Sequence, residues 1–316
     1  MNLEEKILNG DTRTIGKLIK DIEDEVPSAI EVLKKIYPYT GKSHIIGITG
    51  SPGAGKSTLV DVIVKNFREE DKQVGVLAVD PTSPFTGGAL LGDRIRMQRH
   101  ALDDGVFIRS LATRGWLGGL SKATNEVIHV MDAMGKDITI VETVGVGQGE
   151  VEIVNSAHTS IVVLVPGMGD DIQMIKAGIL EIADIFVINK ADRGGTDKLI
   201  VELKIMLDMI KHPPDSWEPM IFLTEAINDK GIKELTEGIY AHKEFLLKSG
   251  KLEDCARARA DRELRETIQA ITMEYIFREI DKTYGIEKVI DGLVEKDTDP
   301  HSISVELIKK ILKIEV

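Results

Sequence analysis

Cysteine is nearly absent from this sequence of 316 residues, in which Cys255 is the single cysteine. One cysteine excludes an internal disulfide and a cysteine-rich metal site, and it fits a reducing compartment. A basic excess is also missing, since 40 Lys and Arg stand against 52 Asp and Glu, for a formal net charge of -12. That balance argues against a general binder of nucleic acid or of anionic membranes. No apolar run approaches membrane-spanning length and the start MNLEEKILNG is acidic, so we expect a cytoplasmic protein with no membrane or nucleic-acid partner.

Short apolar runs alternate with longer amphipathic stretches from His44 onward. The runs are HIIGITG, VGVLAVD, GVFIRS, DITIVET, TSIVVLVP, IADIFVINK and PMIFLTEA. They are mostly β-branched with little polar alternation, which predicts strands buried on both faces of a mainly parallel sheet. Together with the helices between them, they predict a doubly wound α/β fold.

Helical patterns flank this sheet on both sides, which predicts three parts: an N-terminal extension at 1–42, a sheet domain at 43–247 and a C-terminal arm at 248–316. The arm can fold back on its own domain or pair with a second copy. The apolar stripes that define the extension and the arm are Ile15, Leu18, Ile19 and Ile22, then Ile30, Leu33 and Ile36, then Leu264, Ile268, Ile271 and Tyr275, then Val305, Ile308 and Leu312.

The stretch GITGSPGAGKST matches the phosphate-binding pattern G-x-x-x-x-G-K-[ST] completely, and it stands between a predicted strand and a predicted helix. Its glycines allow backbone N–H groups to point at a β-phosphate. Lys56 can bridge the β- and γ-phosphates, and the Ser57 hydroxyl can bind Mg²⁺. The helix N-terminus adds a favourable field for anions. The predicted phosphate-binding residues are Gly50, Ser51, Pro52, Gly53, Ala54, Gly55, Lys56, Ser57 and Thr58.

The stretch INKAD places Asn189, Lys190 and Asp192 at the end of a predicted strand, in the pattern N-K-x-D. The Asp192 carboxylate can accept hydrogen bonds from the N1–H and 2-amino groups of guanine, which adenine lacks. Lys190 can lie along the ring face, and Asn189 can tie this loop to the phosphate loop. Downstream of a phosphate loop, the pattern favours GTP over ATP. Thr224 and Ala226, in the stretch TEA, are candidates for the remaining contact to the base.

Three acidic residues follow predicted strands, or lie near them, on the presumed phosphate side: Asp80, Asp93 and Glu142. A hard cation beside phosphates needs one or two such carboxylates. Asp80 and Glu142 end apolar strands, where a buried acid without a partner would be costly. Asp93 lies in a glycine-flanked loop, where it can bind the cation, cap a helix, or do both. We therefore expect a magnesium site at this edge.

The stretch VETVGVGQGE departs from the usual switch motif of GTPases, in which Asp-x-x-Gly is followed directly by glutamine. Here the acid is Glu142, the glycine is Gly145, and Val146 occupies the glutamine position. We interpret Glu142 as a longer substitute for the aspartate near magnesium and Gly145 as the γ-phosphate sensor. Gln148 comes too late to be given the glutamine's role on spacing alone.

A further glycine-rich loop, PGMGDDIQMIKAG, follows another predicted strand on the nucleotide side. Gln173 and Lys176 in this loop are three positions apart, so on a helical turn they face the same way. The loop is either a part of the nucleotide-sensing machinery or an ordinary surface loop with solvated charges.

Together these motifs resemble the MeaB/MMAA/ArgK type of P-loop GTPase, the metallochaperones of adenosylcobalamin-dependent methylmalonyl-CoA mutase and related acyl-CoA mutases. The most specific stretches are VDPTSPFTGGALLGDRIRM and VETVGVGQ, and the resemblance covers nearly the whole chain. It implies a GTPase domain of the signal-recognition type, a helical N-terminal extension and a C-terminal arm that forms a homodimer.

The resemblance also implies roles for particular residues. Ser57, Asp80, Asp93 and Glu142 would be the magnesium shell, and the loop from Gly167 to Gly178 would be an extra switch that the mutase senses. The protein would bind GTP, GDP and Mg²⁺, whereas adenosylcobalamin would belong to the mutase. GTP hydrolysis, slow alone and stimulated by the partner, would gate cofactor loading and protect or reactivate the mutase. The implied catalytic residues are Lys56, Asp93, Glu142, Gln173 and Lys176.

Three other functions use the same phosphate loop. A nickel-insertion GTPase predicts a His- or Cys-rich tract, whereas the seven histidines are scattered along this sequence. A P-loop kinase needs an acceptor pocket with its own base, and N-K-x-D is unexpected there. A scaffold that binds GTP without hydrolysing it would show no turnover even with its partner.

Overall fold

Seven parallel strands form one sheet in the computed structural model, which describes residues 2–80, 98–100, 102–112, 119–143, 156–167, 182–210, 213 and 215–312. All seven predicted strands are confirmed, and so is the doubly wound α/β fold. The strands are β1 (His44–Gly50), β2 (Val74–Asp80), β3 (Val106–Ala112), β4 (Ile138–Thr143), β5 (Thr159–Leu164), β6 (Ile185–Asn189) and β7 (Met220–Thr224).

The order of strands across the sheet is β3-β2-β4-β1-β5-β6-β7, so the strand that leads into the phosphate loop lies in the middle. Ile48 of β1 pairs with Glu142 of β4 on one side, and Gly50 pairs with Val163 of β5 on the other. Because all strands are parallel, their carboxyl ends meet at one edge. We call this edge the nucleotide edge and the opposite one the amino edge.

Helices cover both faces of the sheet. The helices of the described residues are α1 (Leu3–Leu8), α2 (Thr12–Glu23), α3 (Pro27–Ile36), α4 (Lys56–Glu69), α5 (Gly119–Ala133), α6 (Thr196–Met209), α7 (Ile232–Lys248), α8 (Lys251–Tyr284), α9 (Ile286–Val294) and α10 (Pro300–Leu312). Short 3-10 turns occupy Tyr37–Tyr39, Gln98–His100 and Ala226–Asn228.

Alternate residues of the strands enter different cores, as the period of two requires. Val76 of β2 packs with α4 and α7 in one core, whereas its neighbour Leu77 packs with α2 and α5 in another. A third core joins α6 to β5 and β6, with Phe186 and Leu203 fully buried. Each large apolar side chain buried in this way contributes about 1.5–3 kcal/mol.

The N-terminal helices share a core with the sheet. Asp11 caps α2, because its Oδ1 accepts a hydrogen bond from the N–H of Thr14 at 2.7 Å, and Pro27 is the first residue of α3. The predicted stripe of α2 is buried. The stripe of α3 is less regular, since Ile36 is fully buried but Ile30 is 46% exposed.

The chain divides into two compact units, residues Met1–Arg257 and Ala258–Val316, and α8 runs through the division. The predicted boundaries after residues 42 and 247 remain predictions. In the second unit Ile276 and Ile280 of α8 form a small core with Leu307 of α10. The stripe predicted from Val305, Ile308 and Leu312 is therefore misplaced, because the side of α10 that packs there carries Ile303, Leu307 and Ile311. Among the helices described, none combines the length and apolar character that crossing a membrane requires.

Candidate nucleotide site

The phosphate loop connects β1 to α4 at the nucleotide edge, and two of its glycines have no room for a side chain. Gly50 has φ +150°, and a Cβ there would lie 2.2 Å from the carbonyl oxygen of Val163. Gly55 has φ +87°, and a Cβ there would lie 2.7 Å from Nδ2 of Asn189. The first glycine lets the loop leave the sheet beside β5, and the second lets it touch the N-K-x-D loop.

Helix α4 begins at Lys56 directly after this loop. The residue before it, Gly55, is in the left-handed region and offers no side-chain cap to the first turn within the described structure. The first N–H groups of a helix have no partner inside the helix, and they carry the positive end of its dipole. The loop and the first turn therefore form a cradle suited to phosphate.

The Lys56 side chain is 6% exposed, and its ammonium group is held by the loop itself. Nζ donates hydrogen bonds to the carbonyl oxygens of Gly50 and Ser51, the second at 3.3 Å. These contacts offset the cost of burying the charge and fix its position at the cradle. The arrangement supplies a positive charge where the β- and γ-phosphates would bind.

Ser57 and Glu142 meet beneath the same loop. The Ser57 hydroxyl donates a hydrogen bond to Oε1 of Glu142 at 2.6 Å, and the two residues are 7% and 1% exposed. The contact follows from the sheet order, because β4 lies directly beside β1. A hydroxyl and a carboxylate are oxygen ligands that Mg²⁺ prefers, and a carboxylate this deeply buried is stabilised by a nearby cation. The residues present therefore fit a magnesium ion.

Asn189 ties three loops together. Its Nδ2 donates a hydrogen bond to the carbonyl oxygen of Ala54 in the phosphate loop at 2.9 Å. Its Oδ1 accepts hydrogen bonds from the Thr224 hydroxyl at 3.1 Å and from the N–H of Ala226 at 3.2 Å. The predicted link between the N-K-x-D loop and the phosphate loop is thus present. The N–H of Ala226, predicted as a contact to the base, is engaged by Asn189 in this structure.

The next residues of the N-K-x-D loop point in two directions. Lys190 has φ +56°, and its Nζ donates a hydrogen bond to the carbonyl oxygen of Gly53 at 2.7 Å. Asp192 is exposed, with a carboxylate accessible to a base. Glu225, between Thr224 and Ala226, pairs with Lys230 at 3.0 Å. Hydrogen bonds from Asn228 and Lys230 lower the pKa of the Glu225 carboxyl. The same hydrogen bonds stabilise the turn after β7.

Several predicted residues lie outside the described part of the chain. Asp93, Gly145, Gln173 and Lys176 belong to this group. Asp80 is the last residue of β2, which places its backbone at the nucleotide edge, but its side chain is also outside the described part. The contacts described here therefore bring together the phosphate loop, Ser57, Glu142, Asn189, Lys190, Thr224 and Ala226, and Asp192 lies exposed two residues after Lys190.

Two polar contacts near the loop were not predicted. The Thr143 hydroxyl donates a hydrogen bond to Oγ1 of Thr49 at 3.1 Å, which joins the ends of β4 and β1. The buried Asp61 carboxylate of α4 pairs with Arg99, and the main-chain oxygen of Asp61 lies 3.0 Å from Nε2 of His100. The signal for Asp61 was available in the sequence, because it is the one charged residue in the apolar run LVDVIV.

A buried polar chain occupies the amino edge. Nε2 of His44 and Nδ1 of His242 each lie 2.9 Å from the Thr159 hydroxyl, and Nε2 of His242 lies 3.4 Å from Oδ1 of Asp184. Burial lowers the pKa of His44 to about 2 and that of His242 to about 4, and it raises the pKa of Asp184 to about 7. The ring of His158 lies 5.5 Å from that of His44.

Three of the seven histidines, scattered along the sequence, are therefore neighbours in space. Two of them converge on a hydroxyl group, which leaves their nitrogens poorly placed for a shared ion. In the ranges that the structure covers, no group of three or more His, Cys, Asp or Glu is arranged to hold a metal.

Comparison with known proteins adds to this geometry. A family model described as "Methylmalonyl Co-A mutase-associated GTPase MeaB" matches residues 15–281. The chain is similar to a putative GTPase of Pyrococcus horikoshii, with 52% identity over 98% of both chains. It is also similar to GTPase ArgK of Escherichia coli, with 34% identity over 86% of this chain and 84% of the relative. A crystal structure described as a LAO/AO transport system kinase covers 98% of this chain and 96% of its own, with a TM-score of 0.71 and 26% identity.

Proposed function

Because the chain belongs to the MeaB family of methylmalonyl-CoA mutase-associated GTPases, we propose that it is a magnesium-dependent GTPase that serves as chaperone to an adenosylcobalamin-dependent acyl-CoA mutase. Relatives named GTPases support GTP hydrolysis as its activity. The observation that best supports GTP as the nucleotide is the set of hydrogen bonds made by the Asn189 side chain. These bonds join the N-K-x-D loop to the phosphate loop and to the turn after β7.

The phosphoryl-transfer step needs positioning and charge neutralisation more than a strong base. Lys56 and the first turn of α4 would orient the β- and γ-phosphates. Ser57 and Glu142, together with Asp80 and Asp93, would hold Mg²⁺, which when bound neutralises phosphate charge. Asp192 would select guanine through its exposed carboxylate.

The partner role rests on the family. We propose that hydrolysis is slow in the isolated cytoplasmic protein and faster in complex with the mutase, through Gln173, Lys176 and the loop that contains them. Adenosylcobalamin would be bound by the mutase, and the GTPase cycle would gate its loading and protect or reactivate the mutase.

We further propose that the protein is a homodimer. Leu264, Ile268 and Ile271 of α8 lie at helical spacing and are 59%, 55% and 60% exposed. An apolar stripe of this kind on a charged helix supports pairing with a second copy. Sedimentation of the wild type and of Ile268→Asp tests this, since a monomeric wild type contradicts the proposal.

The central test is a phosphate-release assay with GTP and ATP, with and without a purified acyl-CoA mutase. We expect GTP turnover that rises with the mutase and needs Mg²⁺, little turnover of ATP, and a reduced preference for GTP in Asp192→Asn. Turnover that is unchanged by the mutase contradicts the chaperone role, whereas equal use of ATP contradicts the nucleotide assignment.

A P-loop kinase is the second candidate, because the similar crystal structure is described as a transport system kinase. The same assay distinguishes the two functions when candidate phosphate acceptors are added. Transfer of the γ-phosphate to an acceptor supports the kinase, and release of free phosphate supports the GTPase.

A further inference from the structure

Five exposed side chains lie at the end of α3 and on the segment that joins it to β1. Tyr37 is 54% exposed and Tyr39 is 42% exposed, although Ile36 directly before them is fully buried. The ring of Tyr37 meets the ring of His129 edge-on, at 5.2 Å between their centroids. The two tyrosines leave apolar area in contact with solvent that a partner could cover. We call the set the basic aromatic patch, which consists of Lys34, Lys35, Tyr37, Tyr39 and Lys42.

The main chain of the patch is fixed along its length. The turn Tyr37–Tyr39 follows α3 directly, and the Thr40 hydroxyl donates a hydrogen bond to the carbonyl oxygen of Tyr37 at 2.8 Å. Asp132 of α5 then accepts hydrogen bonds from the N–H groups of residues 41–43. An aromatic side chain on a fixed turn loses little conformational entropy when a partner covers it, so it can contribute strongly to binding.

The patch carries the opposite charge to the molecule as a whole. Residues 34–42 contain three lysines and no acidic residue, in a chain of formal net charge -12. Two of the lysines lie in the last turn of α3, where they also complement the helix dipole. Lys42 lies beyond the helix, so the dipole does not account for it. A local excess of positive charge attracts and orients a negatively charged partner.

A cavity of about 360 Å³ opens beside the patch, which is large enough for a side chain of a partner. Its two carboxylates already accept hydrogen bonds from the main chain, Asp132 from residues 41–43 and Asp137 from the N–H of Gln73 at 2.8 Å. The side chain of Lys42, by contrast, is exposed at its rim. The lining residues are Leu8, Tyr39, Lys42, Asp132, Ala133, Gly135, Lys136 and Asp137.

An acidic protein surface fits these features better than a nucleic acid does. Nucleic acid carries a charge at every phosphate and needs a wide basic surface, whereas this chain is acidic overall. A protein surface with a few carboxylates can be matched by three lysines around two aromatic rings. Aromatic residues at the centre and polar residues at the rim are the usual arrangement of a protein–protein interface.

We propose that the basic aromatic patch is a docking surface for an acidic surface of the partner protein. The inference rests on the proposed function, in which this partner is an acyl-CoA mutase. The two tyrosines form the apolar centre of the contact, and the lysines pair with carboxylates at its rim. The patch leads into the start of β1, at the amino edge, whereas the candidate nucleotide site lies at the opposite edge. Docking and GTP turnover can therefore be measured separately.

The experiment titrates a purified acyl-CoA mutase into the full chain by calorimetry and measures the intrinsic GTP turnover of each variant. The double variant Tyr37→Ser, Tyr39→Ser should bind the mutase roughly 30-fold more weakly, the size typical of aromatic residues at the centre of an interface. Its intrinsic GTP turnover should stay within about twofold of the wild type, because both rings are exposed and distant from the nucleotide edge.

Lys34 and Lys248 provide a matched pair for the role of charge. Their side chains are 66% and 75% exposed, and each ammonium group lies 2.7 Å from a glutamate on its own helix. Lys248 is on α7, which packs against the other face of the sheet. Lys34→Glu should weaken binding about tenfold at low ionic strength and clearly less at about 0.5 M salt. Lys248→Glu changes the net charge equally and should leave the affinity within about twofold.

The outcomes separate this inference from the proposed function. A wild type that does not bind the mutase contradicts the proposed function, and the inference falls with it. If the wild type binds and the tyrosine and Lys34→Glu variants bind equally well, the docking surface is wrong while the proposed function stands.

Two further measurements test other occupants of the patch. Sedimentation compares the oligomeric state of the wild type with that of the double tyrosine variant, and we expect no difference. A loss of self-association in the variant would assign the patch to a second copy of the chain and overturn the proposal. Binding of a fluorescent single-stranded RNA that is lost in Lys34→Glu and kept in Lys248→Glu would overturn it as well.

Discussion

The two edges of the sheet both contain buried polar side chains, but the side chains at each edge contact different segments of the main chain. At the nucleotide edge, Lys56 and Asn189 contact main-chain atoms of the phosphate loop. At the amino edge, Lys136 contacts the carbonyl oxygen of Gly105, and Asp132 accepts hydrogen bonds from the main-chain N–H groups of residues 41–43. The chemistry of the contacts is similar, but at the nucleotide edge they surround the glycine-rich phosphate loop and the first turn of α4.

The comparison teaches that burial and hydrogen bonding alone do not identify a functional polar residue. Both lysines are almost fully buried, with exposures of 6% for Lys56 and 5% for Lys136. What separates them is the glycine-lined cradle and the helix N-terminus beside Lys56. We therefore expect substitutions at the nucleotide edge to change activity and equivalent substitutions at the amino edge to change stability.

The two buried lysines provide the largest expected contrast. Lys56→Ala should lower GTP turnover on the order of 10³-fold, because it removes the charge that stabilises the transferring phosphoryl group. Lys136→Met should leave turnover within about twofold and lower the free energy of unfolding by about 1–2 kcal/mol, through the lost hydrogen bond to Gly105. Phosphate release and denaturant titration of both variants measure the two effects. Full GTP turnover in Lys56→Ala would show that the assignment of this loop as the phosphate-binding site is wrong.

The second contrast is between Asn189 and Asp132, whose side chains each make several hydrogen bonds to other segments of the chain. Asn189→Ala should weaken GTP binding on the order of 10²-fold, since three hydrogen bonds that hold the loops together are lost at about 1 kcal/mol each. Asp132→Ala loses its contacts to residues 41–43 and should cost about 3 kcal/mol of stability with GTP affinity unchanged. Calorimetric titration and thermal unfolding test the pair. The comparison between edges fails if Asp132→Ala weakens GTP binding as much as Asn189→Ala does.

The smallest expected effect is the pH dependence of the amino edge. Burial, aided by His158, Lys243 and His242, lowers the pKa of His44 from 6.5 to about 2. Between these values the unfolded chain binds a proton that the folded chain does not bind, so stability falls as the pH falls through 6.5. At pH 5 the loss due to His44 is about 2 kcal/mol.

Unfolding of His44→Gln and of the wild type, measured from pH 7.5 to pH 5, tests this expectation. The variant should show a shallower loss of stability on acidification, because one titrating group of the buried chain is gone. Parallel curves for the two proteins would show that His44 does not titrate as its burial requires. GTP turnover at pH 7.5 should be the same in both.

Much of the fold could be predicted from the sequence because its signals are local. Apolar β-branched runs specify buried parallel strands, and the glycine and lysine pattern of the phosphate loop stands between a strand and a helix, as β1 and α4 confirm. The stripe on α10 was misplaced, since the helical period leaves two adjacent faces with apolar residues and only packing selects the one with Leu307.

Contacts between distant segments were harder to predict. Asn189 could be linked to the phosphate loop because its motif has a known geometry, but the contacts of Asp61 with Arg99 and His100 depend on how the chain returns to α4. The histidines of the amino edge show the same limit. His44, His158 and His242 are far apart in the sequence, and only the start of β1, the start of β5 and the packing of α7 bring them together.

The central place of β1 also has a consequence for the order of events during synthesis. Its neighbours β4 and β5 are encoded long after it, ending at Thr143 and Leu164. A ribosome adds about 5–20 residues per second, so the phosphate loop emerges several seconds before both of its flanking strands exist. During that interval β1 presents two unpaired edges, which are templates for wrong pairing. Val163 of β5 arrives beside Gly50 only after β4 has been made, so the β5 side of β1 is the last to be paired.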